Sequence, residues 1–204
     1  MLMGYGIPPI HYERPVWVHD LSIPSTPETE SHAWWIGRWD EVRPHTYTTS
    51  IFTSDRNVHV GLDLGAPAGT VVRAAFDGRI HSLGSNDAPG DYGPTIITEH
   101  HVEGHRFWLL HGHLTRTSLE MWSVGDRVVQ SEPLGALGDE EVNGGYPPHL
   151  HLQVSLIEPE THDLPGVVTE EDRVEARRHF PDPRRYIGQV YDDGDQGGFR
   201  HRFR

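Results

Sequence analysis

Two histidines separated by a single residue, His149 and His151, end a stretch rich in glycine and proline and could bind a metal ion or transfer protons. The segment from Leu150 to Val154 alternates apolar and polar residues, which predicts a β-strand. Because side chains two positions apart leave a strand on the same face, both imidazoles are expected to point away from the neighbouring leucines. A half-exposed strand that carries two polar histidines is the plain structural alternative.

A second metal-binding pattern lies earlier in the chain, where His59 and Asp63 are four residues apart. Both side chains fall on one face of the segment, but a flat strand would hold them about 13 Å apart. Gly61 and Gly65 therefore have to let the backbone bend. The histidine, the carboxylate and one histidine of the first pair make three nitrogen or oxygen ligands. Three protein ligands and one open position are typical of a catalytic zinc site rather than a structural one.

A third strand-like segment, Leu109 to Leu114, carries a second histidine pair, His111 and His113, which are predicted to share one face. Spacing alone does not decide which of the paired histidines would bind metal. The spacing does indicate that some of these histidines would bind metal and others would have a different role, because a zinc ion needs only three protein ligands. The remaining histidines could accept a proton from the attacking water or hydrogen-bond to the developing oxyanion.

Together these motifs resemble the lysostaphin/LytM-type zinc endopeptidases, a family with a duplicated hybrid motif fold. The resemblance follows the order and spacing of the family over residues 58–156. It rests on the segments 59–63, 64–70, 75–78, 112–114, 124–128 and 148–151. Three flanking segments, 38–43, 91–97 and 142–148, are more similar to the peptidase-like module of large fusions with phosphotransferase-like and aminotransferase domains.

The resemblance implies a zinc metalloendopeptidase that hydrolyses a peptide bond with metal-activated water. By matching positions, His59, Asp63 and His151 would bind Zn²⁺, and His113 and His149 would be the catalytic histidines, with their individual roles left open. The family carries an aromatic residue where this chain has a histidine at position 111, so that residue inherits no role. The implied partner is a peptide or peptidoglycan-like substrate, although the flanking segments argue against peptidoglycan as the natural target.

The rest of the pattern predicts a mainly β fold, with a single antiparallel, barrel-like sheet and a groove over the zinc. Residues 48–160 read as short strands between glycine and proline turns, one of them spanning 58–64. Residues 1–47 are expected to form an extended arm that packs on this domain, and 161–204 a C-terminal helix and tail. A capping-box signature at 169–172 predicts a helix that ends near Phe180, before Pro181.

An aromatic run lies within the predicted arm, from Trp34 to Trp39. So many large aromatic side chains are too apolar to lie free in solvent, and they are expected to pack against the main domain as a lid or brace. A substrate-stacking surface is the alternative interpretation.

Composition excludes several classes of function. The 204 residues include no cysteine, and all 17 basic residues are arginine, so thiolate metal sites, disulfides, Schiff bases and lysine-linked cofactors are ruled out. A net charge of −13 argues against nucleic acid and anionic membranes as partners. No apolar run approaches the ~18 residues of a membrane span. The N-terminus lacks signal-peptide features, which predicts a soluble protein kept in the cytoplasm, with export by another route or a truncated sequence left open.

Two further functions fit parts of the sequence. Segments 69–78 and 124–128 also resemble pieces of biotinyl/lipoyl-type and phosphotransferase barrels, so a phosphohistidine carrier is one alternative. The absence of lysine excludes biotin and lipoate attachment, and a carboxylate beside His59 would repel phosphate. The other alternative keeps the fold and the metal, and makes the protein a hydrolase of non-cell-wall substrates or a binding and regulatory module. The sequence predicts no oligomeric state.

Overall fold

The computed structural model describes residues 6–12, 16–26, 32–52, 55–194 and the backbone of 198–200. A nine-stranded sheet dominates this part of the chain. Its strands lie in the order β10 (Arg127–Val128), β7 (Gly78–Asn86), β8 (Gly93–Val102), β9 (His105–Gly112), β12 (His149–Ser155), β5 (Leu62–Gly65), β2 (Trp35–Gly37), β1 (Val16–Val18) and β14 (Gly198–Arg200). The mainly β prediction is confirmed. The sheet is mixed because β1 and β2 are parallel, and the described strands form no closed barrel.

Two smaller sheets and short helices complete the described part. Strand β11 (Pro133–Ala136) pairs with β6 (Val71–Arg73), and β4 (Arg56–His59) lies between β13 (Val167–Thr169) and β3 (Glu41–Val42). The described helices are α1 (Arg116–Glu120), α2 (Arg173–His179) and α3 (Arg184–Ile187). Among them, none has the length and apolar character needed to cross a membrane. The domain boundaries at 47 and 160 stay a prediction, and parts of both outer segments (1–5, 13–15, 27–31, 195–197 and 201–204) lie outside the described residues.

The strand expected over 58–64 is divided between two sheets. It begins as β4 of the three-stranded sheet and continues as β5 of the large one, with the crossing at Val60 and Gly61. A Cβ atom on Gly61 would lie 2.2 Å from the ring of His151, so no larger residue fits at the crossing. The bend that His59 and Asp63 require is therefore a passage from one sheet to the other.

The C-terminal helix is present but begins later than its capping signature predicts. Helix α2 begins at Arg173, because the side chain of Thr169 closes a separate turn instead of the first turn of the helix. The Thr169 hydroxyl accepts a hydrogen bond from the backbone N–H of Asp172 (3.1 Å) and donates one to its carboxylate (2.8 Å). The predicted end is correct, since the helix stops at His179, two residues before Pro181.

The large sheet is buried on both faces, and alternation along its strands decides which side chain faces which core. Leu62 and Leu64 of β5 and Leu150 and Leu152 of β12 belong to the larger core. On the opposite face, Ile97, Trp108 and Leu110 form part of a smaller core with residues of β4 and β13. In β5 and β12 the side chains on that second face are polar: Asp63, His149, His151 and Gln153. The predicted separation of the histidine pair at 149 and 151 from the leucines is therefore confirmed.

His111 lies on the larger-core face of β9, and its side chain is fully buried. It pairs across the sheet with Ile96 and follows Leu109 by two positions, and both of these residues face that core. The imidazole Nδ1 donates to the carbonyl of Ile96 (3.2 Å), whereas Nε2 has no hydrogen-bond partner. Burial, with a smaller contribution from His100, lowers the pKa of His111 to about 3, so this imidazole is neutral in the folded protein.

Replacing His111 with phenylalanine is expected to make the protein less sensitive to acid. Unfolded histidine has a pKa near 6.5, so between pH 6.5 and about 3 the unfolded chain binds a proton that the folded chain excludes. Stability is therefore lost as the pH falls through this window, by up to ~1.4 kcal/mol per pH unit for this residue. Urea unfolding between pH 7 and pH 4 would measure the slope, which should be shallower in His111→Phe.

The matched control is His105→Phe at the exposed start of the same strand, which removes a histidine without touching the core. Only the substitution at position 111 is expected to change the slope. An unchanged slope in His111→Phe would show that this imidazole becomes protonated without unfolding the chain.

Candidate metal centre and active site

Three buried side chains from three strands meet on the polar face of the sheet. His59 ends β4, Asp63 lies in β5, and His151 lies opposite Asp63 in β12. Oδ1 of Asp63 lies 3.2 Å from Nε2 of His59 and 3.2 Å from Nδ1 of His151. The two imidazole nitrogens are themselves 3.1 Å apart. Strand register and the crossing at Gly61 thus bring together three atoms that could each bind one metal ion.

In His59 and His151, a hydrogen bond from one ring nitrogen determines that the other nitrogen faces Asp63. Nδ1 of His59 donates to the carbonyl of Arg38 (2.9 Å), and Nε2 of His151 donates to Oε1 of Gln153 (3.0 Å). The amide of Gln153 is oriented in turn, because its Nε2 donates to the carbonyl of Pro165 (3.3 Å). The facing nitrogens therefore carry lone pairs, and no proton lies between them and the carboxylate. Such a donor set fits a metal cation with two nitrogen ligands and one oxygen ligand.

The charge states of His59 and Asp63 also fit a metal. Burial lowers the pKa of His59 to about 4, with the positive charge of Arg43 adding to the effect. Burial would raise the pKa of Asp63, but the neighbouring His59 and the positive charge of Arg43 hold it well below its usual range. At neutral pH the site therefore offers a neutral imidazole and an ionised carboxylate, the forms that coordinate metals.

Two more histidines lie beside this cluster, with ring centroids 4.2 Å apart. Nδ1 of His113 donates to the carbonyl of Asn143 (2.8 Å), and Nδ1 of His149 donates to that of Pro147 (2.7 Å). In each ring Nε2 is left as an acceptor, and that of His149 lies 3.7 Å from Oδ1 of Asp63. Burial lowers the pKa of both imidazoles, so both are neutral and able to accept a proton.

The prediction that His111 and His113 share one face is wrong. His113 has a φ of +65°, a left-handed conformation that is rare outside glycine. This turn at the end of β9 breaks the alternation and directs the His113 side chain to the metal-binding face, while His111 stays in the core. Of the two pairs, only the histidines at 149 and 151 leave their strand on one face.

The five histidine and aspartate residues of this site lie within a segment that matches a known protein family. The model of peptidase family M23 matches residues 57–162, just over half of the chain. The chain belongs to peptidase family M23. The resemblance to lysostaphin/LytM-type peptidases that the motifs predict is thereby confirmed.

Solved structures similar to this M23 chain include two catalytic domains. That of the antimicrobial peptidase lysostaphin from Staphylococcus simulans is 21% identical over 76% of this chain and 93% of its own, with a TM-score of 0.48. The other is a mutant catalytic domain of the prophage-encoded M23 protein EnpA from Enterococcus faecalis. It is 18% identical over 81% of this chain and 95% of its own, with a TM-score of 0.46. A zinc-containing peptidase from Vibrio cholerae is 21% identical over 55% of this chain but only 31% of its own, with a TM-score of 0.41. No curated protein matches the chain.

A groove of about 1160 Å³ crosses the M23 site, and all five buried residues contribute to its lining. One part of its wall comes from residues that precede the matched segment, among them Leu21, Ile23 and Trp35. The three tryptophans of the aromatic run have different environments. Trp34 packs on the larger core, Trp35 lines the groove with its ring 5.3 Å from that of His149, and Trp39 donates to the carbonyl of Phe180 (3.1 Å). In the aromatic run, Trp34 and Trp39 therefore pack against the rest of the domain, whereas Trp35 forms part of the groove surface.

Asn143 is a buried residue of the M23 site, and the sequence singled it out only as part of the flanking segment 142–148. Its Oδ1 accepts hydrogen bonds from the backbone N–H groups of Gly145 (3.2 Å) and Tyr146 (3.0 Å), and its Nδ2 donates to the carbonyl of Tyr146 (2.8 Å). These bonds close the loop whose backbone carbonyls, at Asn143 and Pro147, orient the two neighbouring histidines. An asparagine before two glycines signals such a turn, but not its contact with the histidines.

Proposed function

We propose that the chain is a zinc metalloendopeptidase that hydrolyses a peptide bond. His59, Asp63 and His151 would hold Zn²⁺, and His113 and His149 would be the catalytic histidines. The observation that carries the proposal is the convergence of three buried, proton-free ligand atoms beside two neutral imidazoles on the floor of a groove. Membership of peptidase family M23 supports the same reaction.

A bound zinc ion would polarise the substrate carbonyl and lower the pKa of a water ligand to about 7. The protein itself supplies proton transfer and orientation. With Nδ1 tied to a backbone carbonyl, each of His113 and His149 presents Nε2 to the groove and can accept the proton of the attacking water. Once protonated, the same nitrogen can donate to the developing oxyanion or to the leaving amine.

The substrate that we propose is a peptide or a peptidoglycan-like peptide. The groove is open and large enough for an extended chain of several residues. A protein with a net charge of −13 is repelled by polyanionic surfaces, which disfavours binding to a cell wall.

Metal analysis and a peptide panel test the proposal directly. The purified protein is expected to contain about one zinc per chain and to hydrolyse at least one of three substrate classes: glycine–glycine, D-amino-acid-containing and unbranched peptides. A chelator should abolish the activity and added zinc should restore it. Failure to bind any metal after zinc is supplied would contradict the proposal.

Replacing Asn143 with alanine is expected to slow hydrolysis by about 10–100-fold while zinc stays bound, a loss typical of groups that orient catalytic residues. The substitution removes the three hydrogen bonds that close the loop, so the carbonyls that orient His113 and His149 become mobile. Steady-state kinetics and zinc content of the same preparation would measure both effects.

Asn86→Ala is the matched control for this loop. The Asn86 amide also makes hydrogen bonds, to the hydroxyl of Thr95 and the carbonyl of His162, but it lies outside the groove lining. Its replacement should leave turnover and zinc content unchanged. Loss of zinc in Asn143→Ala would show that the loop supports the metal ligands rather than the catalytic histidines.

A further inference from the structure

Arg43 is a buried arginine in direct contact with a proposed metal ligand, and it precedes the segment that matches the family. Its Nη1 donates to Oδ2 of Asp63 at 2.7 Å, and only 3% of its side chain is exposed. The other carboxylate oxygen, Oδ1, faces His59 and His151. The guanidinium therefore donates its hydrogen bond to Oδ2, the oxygen of Asp63 that is not turned toward His59 and His151.

The site is shaped to hold this guanidinium. A Cβ atom on Gly37 would lie 2.7 Å from Nη2 of Arg43 and 2.8 Å from Oδ2 of Asp63, so glycine leaves the space that their contact needs. Nε of Arg43 donates to Glu41 (3.0 Å), and Nη2 donates to the carbonyl of Arg38 (3.2 Å). That carbonyl also accepts from Nδ1 of His59, so one short segment orients two of the proposed ligands.

Helix α2 stabilises the position of the segment 38–43 through hydrogen bonds. Asp40 has a φ of +57°, and its carboxylate accepts hydrogen bonds from Arg173 (2.8 and 3.0 Å) and from Arg177. The backbone carbonyl of Asp40 also accepts from Arg173 (2.8 Å). The neighbouring Trp39 donates to the carbonyl of Phe180, just beyond helix α2. Residues on both sides of the family segment thus hold the arginine against the metal site.

We propose that Arg43 is a positioning residue that sets the charge of the metal centre. Its hydrogen bond keeps Asp63 as a ligand through one oxygen, and its positive charge offsets the negative charge of that carboxylate. With Asp63 alone, a Zn²⁺ site would carry a net charge of +1; Arg43 raises the sum to +2, and the carboxylate of Glu41 lowers it again to +1. Because Arg43 contacts the proposed ligand itself, whereas Glu41 contacts the arginine, a bound zinc ion would still be held less tightly than by an unpaired carboxylate and would polarise the substrate carbonyl more strongly. This inference rests on the proposed zinc peptidase function.

Zinc affinity, measured by competition with a chromogenic chelator, distinguishes this electrostatic role from a purely structural one. Arg43→Met removes the charge and should bind zinc about tenfold or more tightly, while kcat falls by about tenfold or more and KM changes little. Arg43→Lys keeps the charge and should remain close to the wild type in both measurements. A variant that merely disturbed the fold would bind zinc more weakly.

Glu41→Gln is the matched substitution, and it is expected to change zinc affinity in the direction opposite to Arg43→Met. It replaces the second carboxylate on Arg43 with an amide of the same shape, so the surroundings of the metal become more positive. Zinc should then bind several-fold more weakly, the reverse of Arg43→Met. If Arg43→Met does not fold, Glu41→Gln still tests the inference, because equal or tighter zinc binding in this variant would overturn it.

The outcomes separate this inference from the function on which it rests. A wild type that binds no zinc overturns both. A wild type that binds zinc, with an Arg43→Met variant that binds it equally or more weakly, overturns the charge-setting role alone. Tighter zinc binding combined with a lower kcat in Arg43→Met supports it.

Discussion

Replacing Asp63 with alanine is expected to abolish zinc binding and hydrolysis together. Asp63 is the anionic member of the ligand cluster, and its Oδ1 lies 3.2 Å from the facing nitrogens of both His59 and His151. Without it, only two imidazole ligands remain, and they hold zinc far less tightly. Turnover should fall by more than ~10³-fold, because both the activated water and the polarised carbonyl depend on the metal. Zinc content after gel filtration and kcat/KM on a cleaved peptide would measure the two losses.

The experiment needs a control for loss of stability, because Asp63→Ala leaves the guanidinium of Arg43 buried without this carboxylate partner. Breaking a buried ion pair from one side typically costs about 3–5 kcal/mol. Asp182→Ala provides the comparison, since Asp182 is also buried and pairs with Arg184 (2.7 Å) but does not line the groove. That variant should keep its zinc. A folded Asp63→Ala variant that retains one zinc per chain would show that the ligand assignment is wrong.

The arrangement of the metal cluster could be predicted because it depends on local rules. Alternation along a strand places His149 and His151 on one face, and the structure shows the same face. The four-residue spacing of His59 and Asp63 demanded a bend, and Gly61 marks where it occurs. Short-range periodicity and the freedom of glycine are both readable from the chain itself.

The orientation of His113 could not be predicted, because it depends on a left-handed backbone conformation at a residue other than glycine. Long-range hydrogen bonds hold that conformation. The His113 N–H donates to the carbonyl of Tyr92 and its own carbonyl accepts from Gly138, both at 2.8 Å. No local pattern announces these contacts, so alternation predicted the wrong face.

Arg43 and Asn143 were missed as parts of the site for a related reason. Arg43 lies 20 residues before Asp63, and its contact depends on β2 lying next to β5 in the sheet. Asn143 reaches His113 across 30 residues through a backbone carbonyl, which every residue type possesses. Sequence patterns identify the residues that act through their own chemistry more readily than those that orient them.

Replacing His149 with alanine is expected to leave zinc bound and to reduce hydrolysis by about 10²–10³-fold, which is the usual loss when one proton-transfer or oxyanion-binding group is removed. Its Nε2 lies 3.7 Å from Oδ1 of Asp63, farther than the 3.2 Å that separates that oxygen from each of the two proposed histidine ligands. The substitution leaves space between the rings of Trp35 and His113, which lie 5.3 and 4.2 Å away. Added imidazole could enter that space, so partial recovery of kcat with imidazole would report directly on the missing group.

His81→Ala is the matched control, because the His81 imidazole also donates to a backbone carbonyl, that of Pro159 (2.8 Å), yet lies outside the groove lining. Its replacement should change neither zinc content nor turnover. Loss of zinc in His149→Ala would make that histidine a ligand, and one of the three residues now proposed would then have to act in proton transfer. Zinc retained with full activity would instead leave His113 as the sole histidine available for that step among the five residues of the proposed site.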